Sequence, residues 1–387
     1  MKNVGLSYKQ HPVEDTYDAI VIGSGIGGLT AANLLAKHSN KKVLVLERHY
    51  TAGGFTHVFK RPGYEWDVGV HYIGEVNNRD SELRAAFDNL TEGRLQWNPM
   101  PDVYDRIRIA DRSYDFPSGL EPFRERMKQY FPREVRAIDR YIALVRQTVK
   151  WSNRYFAEKA VQGPISSLGG SLMRAPFLKR AGRTTASVLA ELTGDPELIG
   201  VLTAQWGDYG LTPSQSSFAA HSIVAAHYFE GAAYPIGGAS EIAEGIAPAI
   251  VRTGGQILVG AEVSRILLDD NNRAVGVRMA DGRELHAKTI ISDAGAYNTF
   301  TRLLPVEVAG SLGLVEEIRA LPASMSHLCL YVGLKREEGE PEFEGSNLWI
   351  FPGADHDGNL ARFVQNPEAD FPVLFISFPS AKDPAFD

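Results

Sequence analysis

Several features that assign a protein to a class are scarce in this sequence of 387 residues. It holds one cysteine, Cys329, so no internal disulfide can form and nothing requires an oxidising compartment. The run around it, SHLCLYVGL, is mostly apolar, and we expect Cys329 to pack in the core. The formal net charge of −7 argues against a nucleic-acid partner, because a phosphate footprint needs excess Lys and Arg.

Long apolar runs are also missing. No window reaches the roughly 20 uninterrupted apolar residues of a membrane-spanning helix, and the start, MKNVGLSYKQHPVEDT, lacks the apolar region of a signal peptide. The segment 172–183, LMRAPFLKRAGR, mixes apolar and basic side chains, which suits peripheral contact with an anionic membrane surface. An ordinary solvated helix end is the alternative. We expect a cytoplasmic protein that can associate with a membrane, and no metal site; the oligomeric state stays open.

The first 50 residues predict a βαβ unit. YDAIVI, 17–22, is a short apolar run that ends at glycine, as buried parallel strands do. LTAANLLAKHS follows and is rich in helix-forming residues, and VLVLE, 43–47, is a second buried strand. Strand, glycine turn, helix and strand within about 30 residues indicate a right-handed crossover.

The turn of this unit carries a dinucleotide fingerprint. Gly23, Gly25 and Gly28 in GSGIGG match G-x-G-x-x-G, where bare backbone allows a tight turn, approach of a pyrophosphate and close helix packing. The helix N-terminus that follows offers free N–H groups to phosphate. Glu47 ends the next strand, where a carboxylate accepts hydrogen bonds from a ribose and disfavours a 2′-phosphate.

A second pair of glycines, Gly53 and Gly54, follows in LERHYTAGGFTHVF. The fingerprint alone fits NAD and FAD equally, since both contain ADP. A second stretch of bare backbone just beyond Glu47 suits a longer ligand and favours FAD. A lone glycine pair is, however, equally typical of a turn.

The rest of the chain alternates in character. Residues 80–230 predict mainly helices; Val135, Ile138, Ile142, Val145 and Val149 form one apolar stripe. From 231 the pattern returns to a helix, a strand, a meander and a last buried strand, TIISDAG. We therefore predict a dinucleotide domain in two parts, 1–79 and 231–304, interrupted by a substrate- or membrane-facing insertion, 80–230, and followed by a substrate-domain segment, 305–387.

Several motifs of the sequence resemble those of the phytoene desaturase and retinol saturase group of FAD-dependent oxidoreductases. ERHYTAGGFTHVFKRPGYEWDVGVHYIG matches the group's E-x5-GG and D-x-G-x-H pattern. YPIGGASEIAEGIAPAIVRTGGQILVGAEVSRI, TIISDAGAYNTFTRLLP and FISFPSAKDP are similar to later blocks. Many members carry arginine after the glycine pair; here Phe55, Thr56 and His57 follow, which favours the saturase branch. Members of the group continue past the equivalent of residue 387, so we expect the final flavin-contacting segment to be absent.

The resemblance implies an α/β fold: an FAD/NAD(P)-binding Rossmann-like domain of the amine-oxidase and glutathione-reductase type, interleaved with a helical and mixed-sheet substrate domain. It also implies that the backbone of Val263, in GAEV, meets the adenine. The predicted cofactor-binding residues are Gly23, Ser24, Gly25, Gly28, Glu47, Arg48, Gly53, Gly54 and Val263.

The implied function is FAD-dependent saturation or desaturation of a retinoid or carotenoid by hydride transfer at flavin N5. The electron donor stays open, with NAD or NADP among the choices. Carotenoid cis–trans isomerisation and lipid carriage of the GDP-dissociation-inhibitor type are the alternatives. No catalytic residue can be assigned; His71, Tyr72 and Tyr234 are candidate proton donors, packing near a ligand is the alternative for each, and Asp67 is expected to anchor a loop.

Overall fold

The computed structural model describes residues 4–160, 164–322, 324–335 and 343–386. Its strands, in chain order, are β1 (Leu6–Ser7), β2 (Thr16–Ile22), β3 (Val43–Glu47), β4 (Val58–Arg61), β5 (Tyr64–Asp67), β6 (Ile73–Gly74), β7 (Trp97–Pro99), β8 (Val103–Ile109), β9 (Arg112–Pro117), β10 (Ala232–Pro235), β11 (Gln256–Val259), β12 (Val263–Leu268), β13 (Ala274–Met279), β14 (Glu284–Ser292), β15 (Asn347–Phe351) and β16 (Leu374–Ile376).

The helices of the same residues are mostly short. They are α1 (Ile26–Ser39), α2 (Glu82–Thr91), α3 (Leu120–Tyr130), α4 (Val135–Ala160), α5 (Pro164–Ala181), α6 (Thr185–Leu189), α7 (Pro196–Leu202), α8 (Phe218–His227), α9 (Ser240–Arg252), α10 (Ala296–Asn298), α11 (Val306–Ser311), α12 (Leu314–Ala320), α13 (His356–Gln365) and α14 (Pro379–Lys382). None of the helices in the described ranges has both the length and the apolar character needed to cross a bilayer.

A seven-stranded sheet, in the order β1-β11-β3-β2-β14-β13-β12, forms the first half of the fold. The five strands from β1 to β14 run parallel, and β12 and β13 extend the sheet as an antiparallel meander. Alternate residues of β2 enter different cores: Ala19 and Val21 pack with α1 and α9, whereas Ile20 and Ile22 pack on the opposite face. Both faces of the parallel strands are buried, so these strands are apolar along their whole length. A continuous apolar run of this kind can be predicted from the sequence.

The second half is built around a four-stranded sheet in the order β16-β15-β8-β9. Its core also includes α3, α4, α7 and α8, with Ile138, Ile142 and Val145 of the predicted stripe buried and Val135 exposed. The sequence pattern predicts mainly helices for 80–230; the structure adds strand β7 and the hairpin β8–β9 within that range. In β8, Ile107 and Ile109 are buried between exposed arginines, a period-two pattern that indicates a strand.

The prediction for Cys329 is wrong, because its side chain is exposed. Residues 324–335 belong to no helix or strand of the described chain, although one side contacts the β4–β5 hairpin, where Tyr331 packs edge-on against Phe59 with ring centroids 4.7 Å apart. Leu328 and Leu330 are 94% and 87% exposed. An apolar run is buried only when a neighbouring element covers it, and the run itself carries no information about that neighbour.

Candidate functional site

The turn between β2 and α1 is shaped by its glycines. Gly23 has φ +99°, a conformation that side chains rarely adopt, and its N–H donates to the carbonyl of Leu46 at 2.8 Å. A Cβ on Gly28 would lie 2.3 Å from the Gly23 carbonyl oxygen. The first turn of α1 therefore packs directly on the end of β2, and its N-terminal N–H groups face the carboxyl edge of the sheet.

The second glycine pair closes onto this turn. Gly53 and Gly54 have φ +119° and +56°, and a Cβ on Gly54 would lie 2.8 Å from the Cα of Gly25. The N–H of Gly53 donates to the carbonyl of Ser24 at 3.0 Å. The two glycine segments, 30 residues apart in sequence, thus form one stretch of bare backbone.

Glu47 lies at the carboxyl end of β3 and holds the same turn. Its Oε2 accepts hydrogen bonds from the Ser24 N–H at 2.9 Å and the Ser24 hydroxyl at 2.7 Å, while Oε1 accepts from the N–H of His49 at 2.8 Å. Ser24 is fully buried, whereas Arg48 is exposed. A carboxylate with two oxygens has further acceptor capacity, so these bonds leave Glu47 able to accept from a ribose hydroxyl.

Val263 lies at the same edge of the sheet. Residues 260 and 261 follow β11, and the N–H of Ala261 donates to the Glu47 carbonyl at 2.8 Å. Val263 begins β12 two residues later. The structure therefore brings together the residues predicted to bind the cofactor, from both parts of the chain.

Asp293 is a residue of this edge that the sequence analysis did not identify. It follows β14, the parallel neighbour of β2, and its Oδ2 accepts a hydrogen bond from the N–H of Gly28 at 2.9 Å. The signal was present in TIISDAG: a polar residue directly after a buried parallel strand lies at the carboxyl edge, where such sheets bind ligands.

Tyr234, one of the three candidate proton donors, is bonded to Asp67. Its hydroxyl donates to Asp67 Oδ2, and the N–H of Ala239 donates to Oδ1 at 3.1 Å. Both side chains are buried, and burial raises the pKa of Asp67 and the pKa of Tyr234. Asp67 thus anchors the loop that begins α9, and the Tyr234 hydroxyl is committed to it.

Tyr72, the second candidate, belongs to a buried polar network. Its hydroxyl donates to Asp105 Oδ2 at 3.1 Å, and its ring stacks on Tyr228 with centroids 4.6 Å apart. Asp105 is fully buried and accepts three more hydrogen bonds, from Gln205 Nε2 (2.9 Å), Asn347 Nδ2 (2.9 Å) and Trp349 Nε1 (3.2 Å). Burial raises the pKa of Tyr72 far above its usual range, so this hydroxyl stays protonated.

Lys382 completes the network. Its Nζ donates to the carbonyl of His71 at 3.0 Å, to Ser377 Oγ at 2.6 Å and to Asn347 Oδ1. The Asn347 amide therefore connects an ammonium group to the Asp105 carboxylate. Burial lowers the pKa of Lys382 to about 7, opposed by the negative charges of Asp105 and Asp67.

Asp208 lies beside Tyr72, with its Oδ2 3.5 Å from the Tyr72 hydroxyl. Desolvation by the surrounding protein atoms, followed by the charge of Asp105, raises the pKa of Asp208 to about 8, although its side chain is exposed. Asp208 therefore combines an exposed side chain with a pKa above neutral, and its carboxyl group holds a proton at pH 7.

His71 is the third candidate. Burial lowers its pKa to about 4, with a smaller contribution from Lys382, so the ring is neutral at pH 7. Its buried Nδ1 has no hydrogen-bond partner among the described residues. His71 and Tyr72 thus lie together at the Lys382 network, whereas Tyr234 pairs with a different carboxylate.

The carboxyl edge has the features that a dinucleotide requires. Side chains are excluded at Gly28 and Gly54 by contacts of 2.3 and 2.8 Å, the N-terminus of α1 points to the edge, and Glu47 lies beside it. These residues fit the ADP half of FAD or NAD.

Comparison with known proteins agrees with this geometry. Residues 21–90 match the family model of an NAD(P)-binding Rossmann-like domain. The chain is 38% identical over 386 residues to an all-trans-retinol 13,14-reductase of Danio rerio, and 37% identical over 391 residues to that of Rattus norvegicus. These matches cover 96% and 97% of the chain but 63% and 64% of the relatives. A prolycopene isomerase of an Oncidium hybrid is 29% identical over 96% of the chain and 62% of its own length.

Solved structures support the fold. A Pyrococcus furiosus protein aligns with a TM-score of 0.58 at 15% identity, over 87% of this chain and 74% of its own. Cyclohexylamine oxidase from Brevibacterium oxydans aligns with a TM-score of 0.50 at 22% identity, over 77% of this chain and 63% of its own. The predicted α/β fold class is confirmed.

The chain spans a little under two thirds of the length of the curated relatives it matches. That span includes 96% and 97% of this chain. The predicted resemblance is thus confirmed: across nearly all of its length this chain is similar to the all-trans-retinol 13,14-reductases.

Proposed function

We propose that this chain is an FAD-dependent oxidoreductase that acts on carbon–carbon double bonds of a hydrophobic polyene of the retinoid class. The observation that carries the proposal is the contact between the two glycine segments, where Gly54 approaches Gly25 beside Glu47. The names of the relatives at 37–38% identity supply the substrate class.

In this proposal each predicted residue has a distinct role. Gly23, Gly25 and Gly28 accept the diphosphate on bare backbone, Glu47 accepts hydrogen bonds from the ribose, and the backbone of Val263 contacts the adenine. The exposed Arg48 follows Glu47, the carboxylate that is proposed to bind the ribose. When bound, FAD exchanges a hydride equivalent with the substrate.

The protein must also bind the polyene and supply a proton. The core around β8 and β15 is packed with tyrosines and other apolar side chains, and we propose that the conjugated chain binds beside it. Saturation of a double bond needs one proton for each hydride. Of the groups near His71, the Asp208 carboxyl holds a proton at neutral pH and lies against the Tyr72 hydroxyl, so we place the proton donor there.

Isomerisation is the second candidate, and the 29% identity to prolycopene isomerase favours it. Reduction and isomerisation use the same cofactor and the same kind of substrate. They differ in the product, because reduction adds two hydrogen atoms and isomerisation adds none.

Product analysis therefore tests the proposal. The purified chain is loaded with FAD, its visible spectrum is recorded, and the reduced protein is incubated anaerobically with all-trans-retinol or a carotenoid. A product heavier by two hydrogens supports the reductase, and a product of unchanged mass with altered retention supports the isomerase. A colourless preparation that rejects added FAD contradicts both and favours a lipid carrier. Repeating the reaction with NADH or NADPH in place of chemical reduction tests the nicotinamides as electron donors.

Peripheral membrane contact is proposed for the segment 172–183. In the structure Met173, Leu178 and Lys179 are exposed, whereas Phe177 is buried. Apolar and basic side chains together favour an anionic interface, from which an apolar substrate can be drawn without crossing water. Cosedimentation with vesicles containing phosphatidylserine should fall when Met173 and Leu178 are both changed to Ser; unchanged binding would assign the contact elsewhere.

A further inference from the structure

The carboxylate of Asp293 lies at the N-terminus of α1, on the backbone that the fingerprint offers to a diphosphate. The main chain of Asp293 is fixed there, because its N–H donates to the carbonyl of Ile22 at 2.7 Å. Its Oδ2 accepts the N–H of Gly28 at 2.9 Å. The side chain thus extends from the end of β14 across the end of β2 to the helix.

Contacts with the neighbouring glycines define the position more closely. A Cβ on Gly25 would lie 2.9 Å from Asp293 Oδ2, and one on Gly27 would lie 2.8 Å from Oδ1. Both carboxylate oxygens therefore rest against the bare backbone of the turn. The glycines that admit a phosphate also admit this carboxylate.

The negative charge of the Asp293 carboxylate affects what can bind to this turn. The first turn of α1 contains no acidic residue, so the anions near the positive end of the helix come from elsewhere in the chain: Asp293 accepts the N–H of Gly28, and Glu47 accepts the N–H of Ser24. A diphosphate bound to the same turn brings further negative charge beside the carboxylate, and like charges at this distance repel.

We propose that Asp293 is an internal competitor for the diphosphate site, and that its carboxylate sets the affinity of the chain for diphosphate-containing nucleotides. The inference rests on the proposed dinucleotide site but not on its redox function. If Asp293 were only a helix cap, its replacement would change stability and leave nucleotide affinity unaltered.

The test compares Asp293→Asn with Asp355→Asn by titration calorimetry with ADP and FAD. Asp293→Asn retains an acceptor for the Gly28 N–H and removes the charge. Asp355 caps α13 in the same way, accepting the N–H of Gly358 at 2.9 Å, and serves as the matched control. Because Asp293 is exposed, so that solvent screens its charge, we expect binding of both nucleotides to tighten only about two- to fivefold at low salt. The gain should shrink in 0.5 M salt.

Thermal unfolding gives an independent readout. Both variants should lower the melting temperature of the ligand-free protein by about 1–2 °C through loss of a helix-end charge. Only Asp293→Asn should also enlarge the increase caused by ADP.

Unchanged or weaker ADP binding by Asp293→Asn overturns the inference, as does absence of ADP binding by both wild type and variant. ADP binding without FAD binding contradicts the proposed flavin function alone, since the ADP comparison still decides the role of Asp293.

Discussion

The two halves of the molecule differ in the groups that form their polar sites: main-chain groups in one half and buried side chains in the other. At the carboxyl edge of the seven-stranded sheet, main-chain N–H groups and glycines form the site, and side chains are excluded by contacts as short as 2.3 Å. In the core of the four-stranded sheet, side chains do the equivalent work: Asp105 accepts four hydrogen bonds, and Lys382 is held by three acceptors.

This difference separates two kinds of vulnerability. A backbone site responds modestly to a change of charge nearby but tolerates no added atoms, because space is its limiting property. A buried side-chain network tolerates few changes of chemistry, because each donor or acceptor left without a partner costs its full desolvation energy.

Asp105→Asn should destabilise the protein by about 4 kcal/mol, because an amide NH₂ would then face donors that now point to a carboxylate. Asp111→Asn, in the exposed turn between β8 and β9, should change stability by less than about 0.5 kcal/mol. Denaturant unfolding measures both. A loss below about 1 kcal/mol for Asp105→Asn would show that the network does not depend on its central charge.

His221 should make stability depend on acidity. Its two ring nitrogens bond the hydroxyls of Tyr141 (2.9 Å) and Tyr209 (3.1 Å), and burial lowers its pKa to about 4. The unfolded chain binds this proton near pH 6.5, so stability is lost as pH falls from 6.5 to 4. The contribution of His221 is about 3 kcal/mol between pH 7 and pH 4.

Denaturant unfolding at several pH values checks this contribution. His221→Gln should reduce the acid-dependent loss of stability, whereas the same change at the exposed His38 should leave it intact. The half-buried His71 and His227, each with a pKa lowered to about 4, will maintain part of the slope. An identical slope in wild type and His221→Gln would contradict the assignment.

Gly54→Ala should separate lack of space from backbone strain. Gly54 and Gly63 both have positive φ, +56° and +79°, but a Cβ on Gly63 meets nothing within 4 Å. Both changes should cost about 1 kcal/mol for the backbone conformation, and Gly54→Ala about 1 kcal/mol more. Only Gly54→Ala should weaken FAD binding, by about tenfold or more, as measured by flavin fluorescence. Equal FAD affinities would argue against a ligand-binding role for the glycine contact.

Ser24→Ala is the mildest test. The Ser24 hydroxyl donates to Glu47 at 2.7 Å and accepts from the Gly53 N–H at 3.2 Å, so its removal should cost about 1 kcal/mol and loosen the approach of the two glycine segments. Ser264→Ala, which removes a hydroxyl bonded to the exposed meander, is the control. Comparable effects of both changes on FAD binding would mean that Ser24 does not organise the site.

Sequence reasoning found the glycine edge because its residues are local. Gly23, Gly25, Gly28 and Glu47 lie within 25 positions, and each residue type follows from a requirement of the backbone or the ligand. Asp293 escaped notice because its place depends on the pairing of β14 with β2, 265 positions away from Gly28.

The side-chain network could not be predicted in the same way. Asp105 bonds Gln205 at a separation of 100 positions and Asn347 at 242, and Lys382 reaches His71 across 311. No local pattern encodes such pairs. The single local clue was an acid at a position of β8 that faces inward, and it was lost because that region was described as mainly helical. The prediction that Cys329 is buried was wrong for a related reason, because an apolar run does not show whether another element covers it.

The order of strands in the seven-stranded sheet has a practical consequence. β2 lies between β3 and β14, so the central pairings join residues before 50 to residues after 283. After a protease cut in the intervening helices, we therefore expect the two fragments to stay associated through the hydrogen bonds between β2 and β14. We also expect neither fragment to bind a nucleotide when it is expressed alone. Complementation between separately produced fragments is the more natural experiment, with recovery of FAD binding as its signal.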